Sequence, residues 1–352
     1  MKKNQFSITV MCLAGIFFTL LFIGCGGGGG GGDGESGGDT YTGATEQIKI
    51  SEGNTQPITE MTLASLFGET AQLPFISGAV AEPSNAVDMS VHLERFLIQA
   101  IKEKREAGDG EYLTGASTTE VEDGDCGGTM TISGLDEERV GNITFSGSVA
   151  FDSYCECGFF GDDCENKMIF DGEMSVSGKG VSKYDEEDDD FYLESGQTTF
   201  RFDKMTAEIY ENSSLAADLI IDGSVENSWN SLAEVYEETM KMDLIRTDMV
   251  SGKATWMKDL TISTSEDWYE YESTITINGR IYYEDYGFID IQTLSTLLID
   301  IGDSPYPYQG TMVLSGDNGS KIRITFWYDS YSIESDVDGD GVYEYDAGGY
   351  DW

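Results

Sequence analysis

Thr274-Ile275-Thr276-Ile277-Asn278-Gly279-Arg280-Ile281-Tyr282-Tyr283 begins as a strict alternation of polar and apolar side chains. A period of two places alternate residues on opposite faces of an extended strand, one face toward a core and one toward water. The same alternation recurs in Thr129-Met130-Thr131-Ile132, Asn142-Ile143-Thr144-Phe145, Thr199-Phe200-Arg201-Phe202 and Thr239-Met240-Lys241-Met242-Asp243-Leu244. Clusters of Gly, Asn, Asp and Ser separate these runs, and only five prolines interrupt the whole chain. From about residue 124 onward the sequence therefore predicts a long antiparallel β region.

Gly279 also belongs to a loose internal repeat, apolar-polar-Gly-x-apolar-x-apolar. Copies stand at Phe145-Ser-Gly147, Phe170-Asp-Gly172, Ile221-Asp-Gly223, Val250-Ser-Gly252, Ile277-Asn-Gly279 and Tyr308-Gln-Gly310, with a degenerate one at Gly196. Successive glycines lie 25, 24, 27, 29, 27 and 31 residues apart, about one hairpin each. A glycine inside a strand marks a bend or a close backbone approach. One per hairpin predicts a mainly β fold in which an antiparallel meander forms a strongly curved sheet or partly closed barrel. A membrane-spanning barrel does not fit, because it needs a band of alternate apolar residues facing lipid, whereas these strands read as short and interrupted by charge.

Working outward, residues 46–123 form an N-terminal segment before the β body at 124–352. Met89, Leu93, Phe96, Leu97, Ala100 and Ile101 recur three and four apart, which predicts an amphipathic helix over about 85–107 packed on the sheet. His92, the chain's one histidine, lies beside that stripe and reads as a boundary residue of the packed face. Weaker signals suggest a short strand at Gln47–Ile50 and a short helix at Thr59–Phe67.

The 352 residues carry 65 Asp and Glu against 20 Lys and Arg, a formal net charge of -45. Such a surface repels nucleic-acid phosphates, so nucleic acid is excluded as a partner. With one histidine and no G-x-S-x-G strand-turn-helix, a histidine-ligated metal site and a serine-type triad have no support either.

At the other end of the chain, Lys2 and Lys3 precede an apolar stretch, Phe6 to Ile23, that closes on Leu21-Phe22-Ile23-Gly24-Cys25. This resembles a bacterial lipoprotein signal with its lipobox. The resemblance implies removal of residues 1–24, a lipid on the Cys25 thiol, and attachment to the membrane through that lipid. Gly26 rather than Asp after the cysteine implies the outer membrane. Residues 25–45, rich in Gly, Ser, Asp and Thr, form a flexible tether.

An exported body meets an oxidising compartment, where Cys126, Cys155, Cys157 and Cys164 read as disulfides. Bridging Cys155 to Cys157 is disfavoured, since residues two apart on an extended strand stand too far apart. The expected pairs are Cys126 with Cys155 and Cys157 with Cys164; a zinc site from the same four lacks the paired C-x-x-C spacing.

The sharpest chemical signal is Asp336-Val-Asp338-Gly-Asp340-Gly341-Val342-Tyr-Glu344. Carboxylates at positions 1, 3 and 5, a glycine at 6 and a backbone carbonyl at 7 are how an EF-hand-type loop surrounds calcium with oxygen. Position 12 holds Ala347 instead of a bidentate Glu, and Glu344 at position 9 is the compensating carboxylate. The competing reading is a plain hairpin turn, which Asp-Gly pairs favour. Asp185 to Asp190, six adjacent acids, fit a solvated hairpin tip. Trp268-Tyr269-Glu270-Tyr271 and Trp327-Tyr328-Asp329-Ser330-Tyr331 read as aromatic strands, with sugar stacking as their functional alternative.

The order Asn278 to Tyr283, Asp285 to Thr293, Gln309 to Thr325, Asp336 to Glu344 and a terminal Trp352 resembles a group of uncharacterised bacterial lipoproteins with a glycine-rich tether and a β-rich body. That resemblance implies location and architecture and carries no activity. The sequence thus points to a lipid-anchored envelope protein, non-enzymatic, with a binding or structural role and calcium as its one candidate cofactor. The alternatives are a carrier holding an apolar ligand or lipid between sheet and helix, and a carbohydrate-binding or carbohydrate-acting protein. No protein or glycan partner is singled out.

Overall fold

In the computed structural model, residues 41–67, 119–134, 141–157, 164–185, 190–211, 213–232, 235–267, 272–300 and 306–351 are described. The strands are β1 (Thr119–Asp123), β2 (Thr129–Ser133), β3 (Gly141–Cys157), β4 (Lys167–Asp185), β5 (Asp190–Glu211), β6 (Ser214–Leu232) and β7 (Val235–Asp248). They continue as β8 (Lys253–Asp267), β9 (Glu272–Tyr283), β10 (Gly287–Asp300), β11 (Gln309–Ser315), β12 (Lys321–Trp327), β13 (Ser330–Asp336) and β14 (Tyr345–Asp351). Each pairs antiparallel with its sequence neighbours, giving one 14-stranded meander in the order β1 to β14. The sheet is open.

The period-two reading holds at side-chain level. Along β7, Met240, Met242 and Leu244 are buried while Lys241 and Asp243 are exposed. Cross-strand partners share a face, so Met240 pairs with Ile262 and Ile262 with Ile277, both buried as well. Repeated from β2 to β13, this builds one continuous core on the concave side.

A sheet of this width laid flat would span roughly 60 Å at the usual strand spacing, far more than one short helix can cover. A line of bulges across mid-sheet supplies the bend. Register shifts occur at Phe151/Tyr154 between β3 and β4, Phe202/Met205 between β5 and β6, Met242/Leu244 between β7 and β8, and Lys258/Thr261 between β8 and β9. Bulges bend the bulged strand and increase its twist. The repeat glycines Gly172, Gly223, Gly279 and Gly310 occupy this line at φ of 111°, 124°, 144° and 126°. Three copies depart from the expectation. Gly147 and Gly196 sit in regular paired strand, and Gly252 falls in the turn after β7. The template is short enough to recur where no bulge is needed.

The helix on the concave side is α1 (Thr55–Phe67), which starts four residues before the short helix expected at Thr59. Ten of its 13 residues are buried, on all sides. It carries four hydroxyls that this burial would otherwise strand. Thr55, Thr59, Thr62 and Ser65 donate to the carbonyls of Ser51, Thr55, Ile58 and Met61, each four residues back. Hydroxyl groups satisfied within their own helix can enter a core without the penalty of an unpaired polar atom. Phe67 meets Phe326 of β12 edge-on, Thr55 bonds Ser335 of β13, and Tyr283 of β9 donates to Thr62. The helix expected over 85–107, with His92, lies outside the described residues.

All odd-to-even turns share one end of the sheet, because the meander reverses at every strand. The entering chain crosses that same end. Ala44 N–H donates to the Glu284 carbonyl, Ile48 N–H to Phe288, and Asp317 N–H to Ile48. Gln47 makes a single parallel bridge to Phe288 where a short strand was expected. The acids Asp185 and Asp190 close the β4–β5 hairpin at the opposite end.

Candidate metal centre

The connection from β13 to β14 is the predicted acidic loop. β13 delivers Asp336 at its last residue, on the outward parity of Ser332 and Glu334, yet the loop that follows folds over it and Asp336 is 1% exposed. Its carboxylate accepts the N–H of Gly339 at 2.7 Å and of Gly341 at 2.9 Å, which curls the loop around it. Gly339 and Gly341 adopt φ of 79° and 91° to aim those groups inward. A side chain at 339 would meet the Asn318 carbonyl of the neighbouring β11–β12 turn at 2.4 Å. Asp338 accepts from Asp340 N–H at 3.2 Å, and Asp340 from Val342 N–H at 2.8 Å.

The outcome is convergence. One carboxylate oxygen from each of Asp336, Asp338, Asp340 and Glu344 lies within 4.8 Å of the others. Calcium binds oxygen at roughly 2.3–2.6 Å, so ligands on opposite sides of one ion stand at most about 5 Å apart. The four acids therefore occupy the span of a single coordination sphere. A carboxylate oxygen that accepts one N–H keeps a lone pair for a cation, so the turn bonds and ligation are compatible. Val342, whose carbonyl is the fifth expected ligand, sits in the same loop with its side chain exposed. Both flanks are strands, and Ala347 lies in β14 rather than at a ligand position. Arg323, with its guanidinium over the Tyr343 ring, is paired with Glu334 across β12 and β13.

The cysteines pair as expected, Cys126 with Cys155 and Cys157 with Cys164, at Cα separations of 5.1 and 4.8 Å. Both bridges lie at the end of β3. Cys126, Cys157 and Cys164 have sulfurs within 4.8 Å of one another, but all four thiols are consumed in bridges and leave no thiolate for zinc. Cys25 and Trp268 to Tyr271 lie outside the described residues. Trp327 and Tyr328, read from sequence as part of an aromatic strand, instead end β12 and enter the turn, 55% and 68% exposed.

Four buried acids escaped the sequence reading, Glu60, Asp222, Glu238 and Glu266, and the last two lie on neighbouring strands. Glu238 on β7 and Glu266 on β8 are 7% and 2% exposed on the concave face. The signal was available: Glu238 shares the parity of Met240 and Met242, and Glu266 that of Ile262. Asn227 donates to Glu238. Burial pushes the Glu266 carboxyl up to about 7. No protein-family model matches the chain, and no curated protein or solved structure is significantly similar to it.

Proposed function

We propose that this chain is a lipid-anchored envelope protein whose β body serves a binding or structural role, with the Asp336–Glu344 loop holding calcium. The convergence of four carboxylate oxygens within 4.8 Å carries the calcium reading. The lipobox-like stretch ending at Cys25 supports the anchor, and two disulfides are in keeping with an oxidising compartment. A binding role by way of an interior cavity is less well supported than one at the surface. Around α1 the concave side is filled by side chains such as Leu63, Leu66, Phe326 and Ile333, none more than 1% exposed.

Calorimetric titration of the chain with calcium is expected to give one site. Without a bidentate Glu at the last position, the affinity should fall in the weak extracellular range, roughly 0.1–1 mM. Asp340→Ala and Asp338→Ala should each weaken it at least about tenfold, since charge count tunes such loops. Absence of heat with the wild-type chain ends the calcium reading. The anchor has its own test: in cell fractionation, Cys25→Ala should move the protein from the membrane to the soluble fraction. Unchanged membrane association in that variant removes the lipoprotein reading.

A further inference from the structure

The end of the sheet crossed by the entering chain exposes apolar side chains at neighbouring turns. Leu215 beside the β5–β6 turn, Met249 and Val250 in the β7–β8 turn, and Tyr286 in the β9–β10 turn are 47%, 50%, 68% and 48% exposed. Turns are ordinarily polar, and scattered apolar exposure needs no explanation. Here it falls on three successive hairpin tips of one rim. The root of the tether lies on this rim, with Ala44 bonded to Glu284 of the β9–β10 turn and Tyr41 packed on Trp256 and Tyr282.

The inference rests on the lipid-anchor reading. If Cys25 carries the lipid, sixteen residues, 25–40, link the bilayer to Tyr41. A flexible chain of that length has a typical span of roughly 22 Å. Strands of the body are far longer: β5, with 22 residues, rises roughly 70 Å. The tether thus holds the rim near the bilayer, and the far end reaches it only if the body lies down. Asp248 and Glu284 stand among the tips, while Asp285 is paired with Lys253, so the remaining negative charge favours zwitterionic over anionic headgroups. We infer that Leu215, Met249, Val250 and Tyr286 form a membrane-seating rim that enters the interface of a zwitterionic bilayer. The anchor makes the encounter intramolecular, so tips too weak to hold the body alone suffice once tethered.

The test uses the lipidated chain reconstituted into phosphatidylcholine vesicles, with and without brominated acyl chains that quench tryptophan on contact. Val250→Trp places a reporter at the rim, and Tyr328→Trp places one at the opposite end. Vesicle co-flotation reports the anchor, and quenching reports the seating. The expected result is co-flotation of both variants, with at least a twofold larger quenching over wild type for Val250→Trp than for Tyr328→Trp. Co-flotation with equal quenching overturns the rim and leaves the anchor standing. Failure to float overturns both. A dimer in sedimentation that Val250→Asp dissociates, without added quenching, overturns the membrane rim in favour of a second copy.

Discussion

Gly279→Ala is expected to destabilise the body by about 2–6 kcal/mol, a large share of the stability of an ordinary domain. Gly279 holds φ of +144° in β9, opposite the bulge that Asp259 makes in β8 at φ of +51°. A Cβ there would stand 2.5 Å from Leu260 Cα, 2.7 Å from the Asp259 carbonyl and 3.0 Å from Leu260 N. All three are backbone atoms and none can rotate away. The backbone conformation alone costs an L residue about 1–3 kcal/mol, and forcing two central strands apart adds roughly 1–3 kcal/mol. Gly252→Ala separates these terms, since it keeps a positive φ of 74° but has nothing within 4 Å of its Cβ. It should lose only about 1 kcal/mol. Urea midpoints of the two variants decide the matter. If Gly279→Ala unfolds at the same urea concentration as Gly252→Ala, the bulge line is not what bends this sheet.

That contrast also marks how far the fold was legible. Alternation identified strands because one face is buried, and the meander followed from short turn-rich connections. Glycine in a strand signalled a bend, correctly at Gly172, Gly223, Gly279 and Gly310. The template did not separate these from Gly252, because the bend depends on what the partner strand does at Asp243 or Asp259. The helix was the harder element. α1 has hydroxyls where an amphipathic helix has charges, and it is buried all round, so it lacks the polar stripe that periodicity detects. Its buried hydroxyls close on carbonyls four residues back, a pairing that the sequence does not display.

The acidic loop was legible for the opposite reason. The spacing of its carboxylates is local, within one turn, so sequence order is nearly spatial order. What sequence did not contain is the depth of Asp336, which sits on the outward parity of β13 and is buried because the following loop curls over its carboxylate through Gly339 and Gly341, against the β11–β12 turn. Glu238 and Glu266 show the limit of composition. Among 65 acids no pair stands out until the sheet places two of them on the side shared with Met240 and Ile262.

Glu266 gives the second large effect, and its sign is opposite to that of a salt-bridged acid. Tyr236 of β7 and Ser273 of β9 are its cross-strand partners, with Glu238 and Thr264 one step further along the same face. Among the described residues no group bonds its Oε2. Burial raises the folded-state value from 4.5 to about 7. Between these values the unfolded chain releases the proton first, so the folded state binds more protons and stability falls as pH rises. The contribution is fully present below about pH 4.5, declines through the window and is lost above about pH 7. A shift of that size corresponds to roughly 3 kcal/mol. Glu266→Gln removes the titration while keeping the shape of the side chain. It should match wild type near pH 4.5 and exceed it by about 2–3 kcal/mol at pH 8. The net charge of -45 also weakens the fold at high pH through self-repulsion, but it acts on both proteins nearly equally and cancels in the difference. Urea unfolding of the pair across pH 4.5–8 therefore isolates one carboxyl. Parallel stability profiles would mean that Glu266 ionises in the folded state as it does in the unfolded chain, and that water reaches the concave face beside β8.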